Sequence, residues 1–187
     1  MQLSDRLPPT LGTTVRRMIA VKQTIAAVAT LILPITFFMV VLFRYFLHFD
    51  LFAYEEWLLP IGFWLFFLGS AVGSYQDTQI RADVFESYFK STRSIWLREL
   101  SLHVIEAVIA TVMAYWAWLM IINDLGMYPW WQKTIALKIP HFVPHLGIFL
   151  GMAFMAFYST LHIFVLLKFG PAVVDEDYDN EHPNQEA

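Results

Sequence analysis

The side chains best able to do chemistry fall in two groups. The first is Arg44, Tyr45, His48, Asp50, Tyr54, Glu55, Glu56 and Trp57. Adjacent carboxylates such as Glu55 and Glu56 can divide general acid and base duties. Nothing close to them in sequence supplies a nucleophile or a metal-binding set, so an enzyme is not expected. Two other uses of the group stay open. Arg44 closes one apolar stretch and the two acids open the next, where a helix macrodipole favours negative charge; capping with an interfacial ion pair is one reading. A docking point for a partner is the other. The second group is His103 and Glu106, one helical turn apart, with His162 farther along. Two histidines at matched depth on neighbouring helices can clamp a haem iron. The competing reading is a structural hydrogen-bonded cluster of His103, Glu106 and His162 with Ser159 or Tyr158, and tight small-residue packing favours it over a haem slot. A buried Glu in an apolar helix also marks a candidate for proton or ion coupling. His141 and His145 stand four apart, a spacing that can hold a metal, but no third ligand lies near in sequence.

The elements that must position these groups are membrane spans. Residues 23–43, 57–76 and 139–167 contain no Asp, Glu, Lys or Arg, and residues 100–123 contain only Glu106. About 20 mostly apolar residues cross the roughly 30 Å of bilayer hydrocarbon. The hydrophobic fraction is 58% and the mean hydropathy is +0.53, as for a membrane bundle rather than a soluble core. The expectation is an all-α, integral membrane four-helix protein with spans at 22–43, 55–75, 97–125 and 143–167. Residues 1–21 then form an N-terminal segment, 22–168 one membrane domain, and 169–187 an acidic tail. Pro34 falls mid-span, where it kinks a helix, and Pro60 falls in the second turn of its span. There is no Cys, which excludes disulfide and thiol chemistry. Arg16, Arg17 and Lys22 precede a stretch too long for a cleavable signal, so the first span is expected to be retained.

The formal charge of −4 reflects six acids between Asp175 and Glu186; the remainder is slightly basic. Nine Lys and Arg fall in the N-terminal segment, the 76–96 connection with the start of the third span, and just after the fourth. Only Arg44, Lys133 and Lys138 fall on the other side. This asymmetry predicts cytoplasmic termini. Within the connection, Ile80, Val84 and Tyr88 recur every four residues with Phe85 and Phe89 beside them, and Glu86 pairs in register with Lys90. A short amphipathic helix on the membrane surface is expected there, between the second and third spans.

Small residues mark the packing faces, because lipid offers no hydrophobic drive for helix association. His103, Glu106, Ala107, Ala110, Ala114 and Ala117 share one arc of the third span, while Val104, Ile105, Val108, Val112, Trp116 and Leu119 occupy the broad opposite face. The arc is expected to face protein and the broad face lipid or a partner. Gly69-x-x-x-Gly73 and Gly147-x-x-x-Gly151 are expected to be packing sites on the second and fourth spans. Tyr128, Trp130 and Trp131 suit an interfacial aromatic belt.

Residues 41–90 resemble the small membrane subunit of tripartite ATP-independent periplasmic (TRAP) transporters, the DctQ-like family. The matching features are Arg44-Tyr45, the acidic pair with Trp at Glu55-Glu56-Trp57, Phe67-Leu68-Gly69 with small residues after it, and Gln79-Ile80-Arg81-Ala82-Asp83-Val84. Residues 134–148, TIALKIPHFVPHLGI, look like the family's lead-in to its last helix. Gln79 stands where many members have His. The resemblance implies a non-enzymatic inner-membrane subunit that binds a large multi-spanning transport subunit. A periplasmic binding protein would deliver an organic acid, and a sodium gradient would drive its uptake. It implies no cofactor on this subunit, sodium sites on the large one, and no nucleic-acid partner. A haem-anchoring redox subunit using His103 and His162 is the alternative, and a self-contained small transporter using Glu106 is a third reading.

Overall fold

The computed structural model describes residues 9–48, 52–78, 92–130 and 132–171. Among them are four helices and no strand: α1 Pro9–Phe46, α2 Tyr54–Gln76, α3 Thr92–Gly126 and α4 Phe142–Phe169. All four are long and apolar enough to cross a membrane. The chain is a multi-pass, all-α membrane protein. The amphipathic helix expected between the second and third spans falls on residues 79–91, outside the described set, as does the acidic tail beyond residue 171.

In space the order is α1, α2, α4, α3. The main contacts join α3 to α4, α2 to α4, and α1 to α2. Successive helices run in opposite directions, so the start of α1 and the end of α4 lie at one end of the bundle. There the Trp96 indole N–H donates to the Leu166 carbonyl at 3.0 Å. At the opposite end the Trp64 indole donates to the Val143 carbonyl at 3.0 Å.

α1 starts well before the expected residue 22. Arg16 and Arg17 interrupt the hydropathy there, but they lie on the outer side of a continuing helix. Val15 and Ile19 are buried, one turn apart, in a cluster with Ala71, Tyr75, Tyr158 and Val165. Pro9 suits a first helical position, where its missing N–H leaves no bond unmade. The helix assignment runs through Pro34 in α1 and through Pro60 in α2.

α3 packs as its alanine arc predicts. His103, Ala110, Ala117 and Ile121 are buried, with Ala107 and Ala114 half-buried between them. These positions alternate four and three apart, the spacing of a coiled-coil seam, and α4 is the helix that meets them. Val104, Ile105, Val108, Val112, Trp116 and Leu119 are all exposed.

The two glycine pairs behave differently. A Cβ on Gly147 would stand 3.0 Å from the Trp64 ring. One on Gly151 would collide with the Phe67 Cβ and lie 2.7 Å from its carbonyl oxygen, so only glycine permits this α2–α4 approach. A Cβ on Gly69 would meet nothing within 4 Å, and one on Gly73 only the Thr78 hydroxyl at 3.8 Å. Among the described residues, no helix packs against Gly69 or Gly73 as expected. α2 turns its other side to α4, carried by Trp64 and Phe67.

Candidate functional site

A polar layer crosses the bundle in the half nearer the start of α1 and the end of α4. The Ser74 hydroxyl of α2 donates to Glu106 Oε1 of α3 at 2.6 Å. Ser159 of α4 lies 3.4 Å from Ser74 and spends its own proton on the Met155 carbonyl at 3.0 Å. A His162 ring nitrogen meets the Tyr75 carbonyl at 3.2 Å. The His103 and His162 rings stack, with centroids 4.7 Å apart and planes within 2° of parallel. His103 also stands between two carboxylates, Nδ1 at 3.7 Å from Glu106 Oε2 and Nε2 at 3.9 Å from Asp77 Oδ1.

These contacts join α2, α3 and α4 at one depth. In hydrocarbon a polar group without a partner is costly, so a layer that pairs its members, His103 Nδ1 excepted, fixes how the helices slide past each other. The structural reading of His103, Glu106 and His162 is the one the geometry fits. A haem does not fit: its two axial histidines must aim nitrogens at a common iron from opposite faces of the macrocycle. Here the rings meet face to face with no room between them.

Lys22 completes the layer and was missed in the sequence, where it counts as one more flanking cation. It is 4% exposed. Its ammonium donates to the Tyr158 hydroxyl and lies 3.5 Å from the centroid of the Phe154 ring. The attraction of an ammonium for a ring face strengthens where water is excluded. Lys22 thus ties α1 to α4, next to Ser159. Its helical phase would have revealed it, since it follows Val15 and Ile19 on their buried side. Ser74 and Tyr75 were missed as well, because a lone hydroxyl in an apolar run carries no distinctive spacing.

At the opposite end, Glu56 does not pair with Arg44. Its two carboxylate oxygens accept the backbone N–H groups of Ala136 at 2.8 Å and Leu137 at 2.7 Å. The held segment is a tight turn: the Thr134 N–H donates to the Ile139 carbonyl at 3.0 Å, and His141 N–H donates to the Gln132 carbonyl at 3.1 Å. A carboxylate offers both oxygens to neighbouring amides that would otherwise lack acceptors, and this outcompetes an exposed cation. Arg44 and Glu55 are exposed, Trp57 is half-buried, and no Arg44–Glu55 or Arg44–Glu56 ion pair exists among the described residues. Asp50 lies outside them. His145 Nδ1 meets Asp124 Oδ2 at 2.6 Å, while His141 Nδ1 meets the Gln132 carbonyl at 3.1 Å, so these two histidines serve different partners.

Two further surfaces stand open among the described residues. The α2 strip carrying Gly62, Gly69 and Gly73 shares one helical face. It runs into an apolar groove of about 550 Å³ lined by Phe37 of α1 and by Leu59, Gly62, Phe63 and Phe66 of α2, with Glu55 also on its wall. The turn held by Glu56 presents Ile135, which is 96% exposed.

Residues 32–169 match the family model described as tripartite ATP-independent periplasmic transporters, DctQ component. A search among curated proteins found no match.

Proposed function

The chain belongs to the DctQ component family of tripartite ATP-independent periplasmic transporters, and we propose that it supports a large multi-spanning transport subunit and helps dock a periplasmic binding protein. In this reading a sodium gradient drives uptake of an organic acid, and the substrate and sodium sites belong to the large subunit. Ser74, Glu106, Ser159, His162 and Lys22 are engaged within the bundle and tie its helices together.

The open glycine face of α2 is the observation that carries the assembly reading. Small residues on a membrane helix allow close approach of a neighbour, and the described residues provide none at Gly69. The adjoining groove suits bulky apolar side chains from the large subunit. The exposed Val108, Val112 and Trp116 face of α3 is then left for lipid. At the other end of α2, Arg44, Glu55 and the Ile135 turn form the surface offered to the binding protein.

The proposed location is the bacterial inner membrane, with both termini in the cytoplasm. Burial of Lys22 removes one cation from the count, yet eight against three still favours this orientation. The test is co-purification with the large subunit, together with uptake of an organic acid into vesicles under an imposed sodium gradient. Loss of both on deleting this subunit is expected. Full uptake by the large subunit and binding protein alone would contradict the proposal.

A further inference from the structure

We propose that Asp77, Glu99 and His103 form a divalent-metal site, suited to Zn²⁺, that joins the end of α2 to the first turns of α3. Glu99 and His103 are four apart on α3 and so face the same way. Asp77 is the residue that caps α2, in the left-handed conformation at φ 54. One ligand atom from each of the three residues lies within 4.8 Å of the other two. Ligands around a tetrahedral zinc with bonds of about 2.0–2.1 Å stand roughly 3.3 Å apart. Closing the site therefore takes up to about 1.5 Å of movement, shared among the three side chains.

His103 points to a ligand independently of the acids. It is 2% exposed, and its Nδ1 has no hydrogen-bond partner among the described residues. Its Nε2 edge faces Asp77 Oδ1 at 3.9 Å, too far for a hydrogen bond. A buried Nδ1 left this way loses its water contact without replacement. A metal on Nε2 would fix the proton on Nδ1, and Glu106 Oε2 stands 3.7 Å from that nitrogen. Carboxylate, histidine and metal would then follow in the order by which metal-bound imidazoles are commonly oriented.

The surroundings favour a cation. The carbonyl end of α2 carries partial negative charge, and its last turn has no basic residue. One imidazole with two carboxylates suits zinc better than magnesium or calcium, which prefer all-oxygen sites. The Asp77 side chain is 37% exposed, which gives the ion a way in and a place for water as fourth ligand.

The test uses the full-length chain in detergent, purified with a histidine-free tag, stripped by chelator and titrated with Zn²⁺ by calorimetry. Co²⁺ absorption then reports the geometry of the bound ion. One equivalent is expected to bind. Asp77→Asn and Glu99→Gln are each expected to weaken binding at least 10-fold and to remove the Co²⁺ spectrum. Both replacements keep side-chain size at the rim of the site, so the test does not depend on a His103 variant folding. His145→Gln is expected to leave binding unchanged. No zinc uptake by the wild-type chain, or equal affinity in Asp77→Asn and Glu99→Gln, would overturn the proposal.

Discussion

α2 and α4 each carry two glycines four residues apart, and the two pairs are used in opposite ways. On α4, Gly147 and Gly151 are filled by Trp64 and by the backbone of Phe67. On α2, Gly69 has open space where a side chain would begin. One motif thus closes the bundle on itself, while the other leaves a face on which a second protein can close. The motif alone says only that backbones can come close. What stands opposite decides whether the contact is internal.

The comparison can be broken most forcefully at Gly151. Leucine there must displace the Phe67 backbone, and overpacking of this kind costs about 3 kcal/mol or more. Thermal unfolding followed by tryptophan fluorescence in detergent should show a large loss of stability or no folded chain. A wild-type melting curve would show that the α2–α4 seam is not as drawn. Ala110→Leu strikes the α3–α4 seam, where Ala110 is 3% exposed. It should cost about 1–3 kcal/mol, whereas Val108→Leu on the outer face should be near neutral in the same assay.

Glu56 gives a smaller and more local effect. Hydrogen bonds to an ionised group are stronger than neutral ones, but exposure to water screens them here. Glu56→Gln keeps one acceptor oxygen and should free one of the two amides. Faster hydrogen exchange at Ala136 or Leu137 is expected, with no change in Glu55→Gln. Equal protection in both variants would remove Glu56 from its role. Arg44→Ala should change stability by less than about 0.5 kcal/mol, because an exposed arginine with no ion partner among the described residues adds little. A loss of several degrees in melting temperature would reinstate a structural ion pair there.

Much of this architecture was legible in the sequence, and the exceptions share a physical cause. The four spans follow from runs without charge, and the α3 arc from its alanines, whose small size on one helical side has no other use in lipid. His103, Glu106 and His162 converge because depth along a span can be counted from its end. Glu55 and Glu56 were read together as partners for Arg44 because all three are near in sequence, but Glu56 is engaged elsewhere. Its partners, Ala136 and Leu137, lie far along the chain and are backbone groups, which no side-chain pattern reveals. Lys22 was read as a flanking charge because hydropathy averages over a window and hides the phase of one residue. The start of α1 was set too late for the same reason, since Arg16 and Arg17 sit on its outer side while Val15 and Ile19 face in.

The central claim, that the open α2 face belongs to the large subunit, is tested most directly by Gly69→Leu measured in two settings. In the isolated chain the variant should be as stable as wild type or slightly more so, because replacing an interior helical glycine gains up to about 1 kcal/mol of helix propensity. In the complex the same side chain should block close approach and abolish co-purification with the large subunit. A stable variant that still assembles fully would show that this face meets only lipid, and would contradict the account.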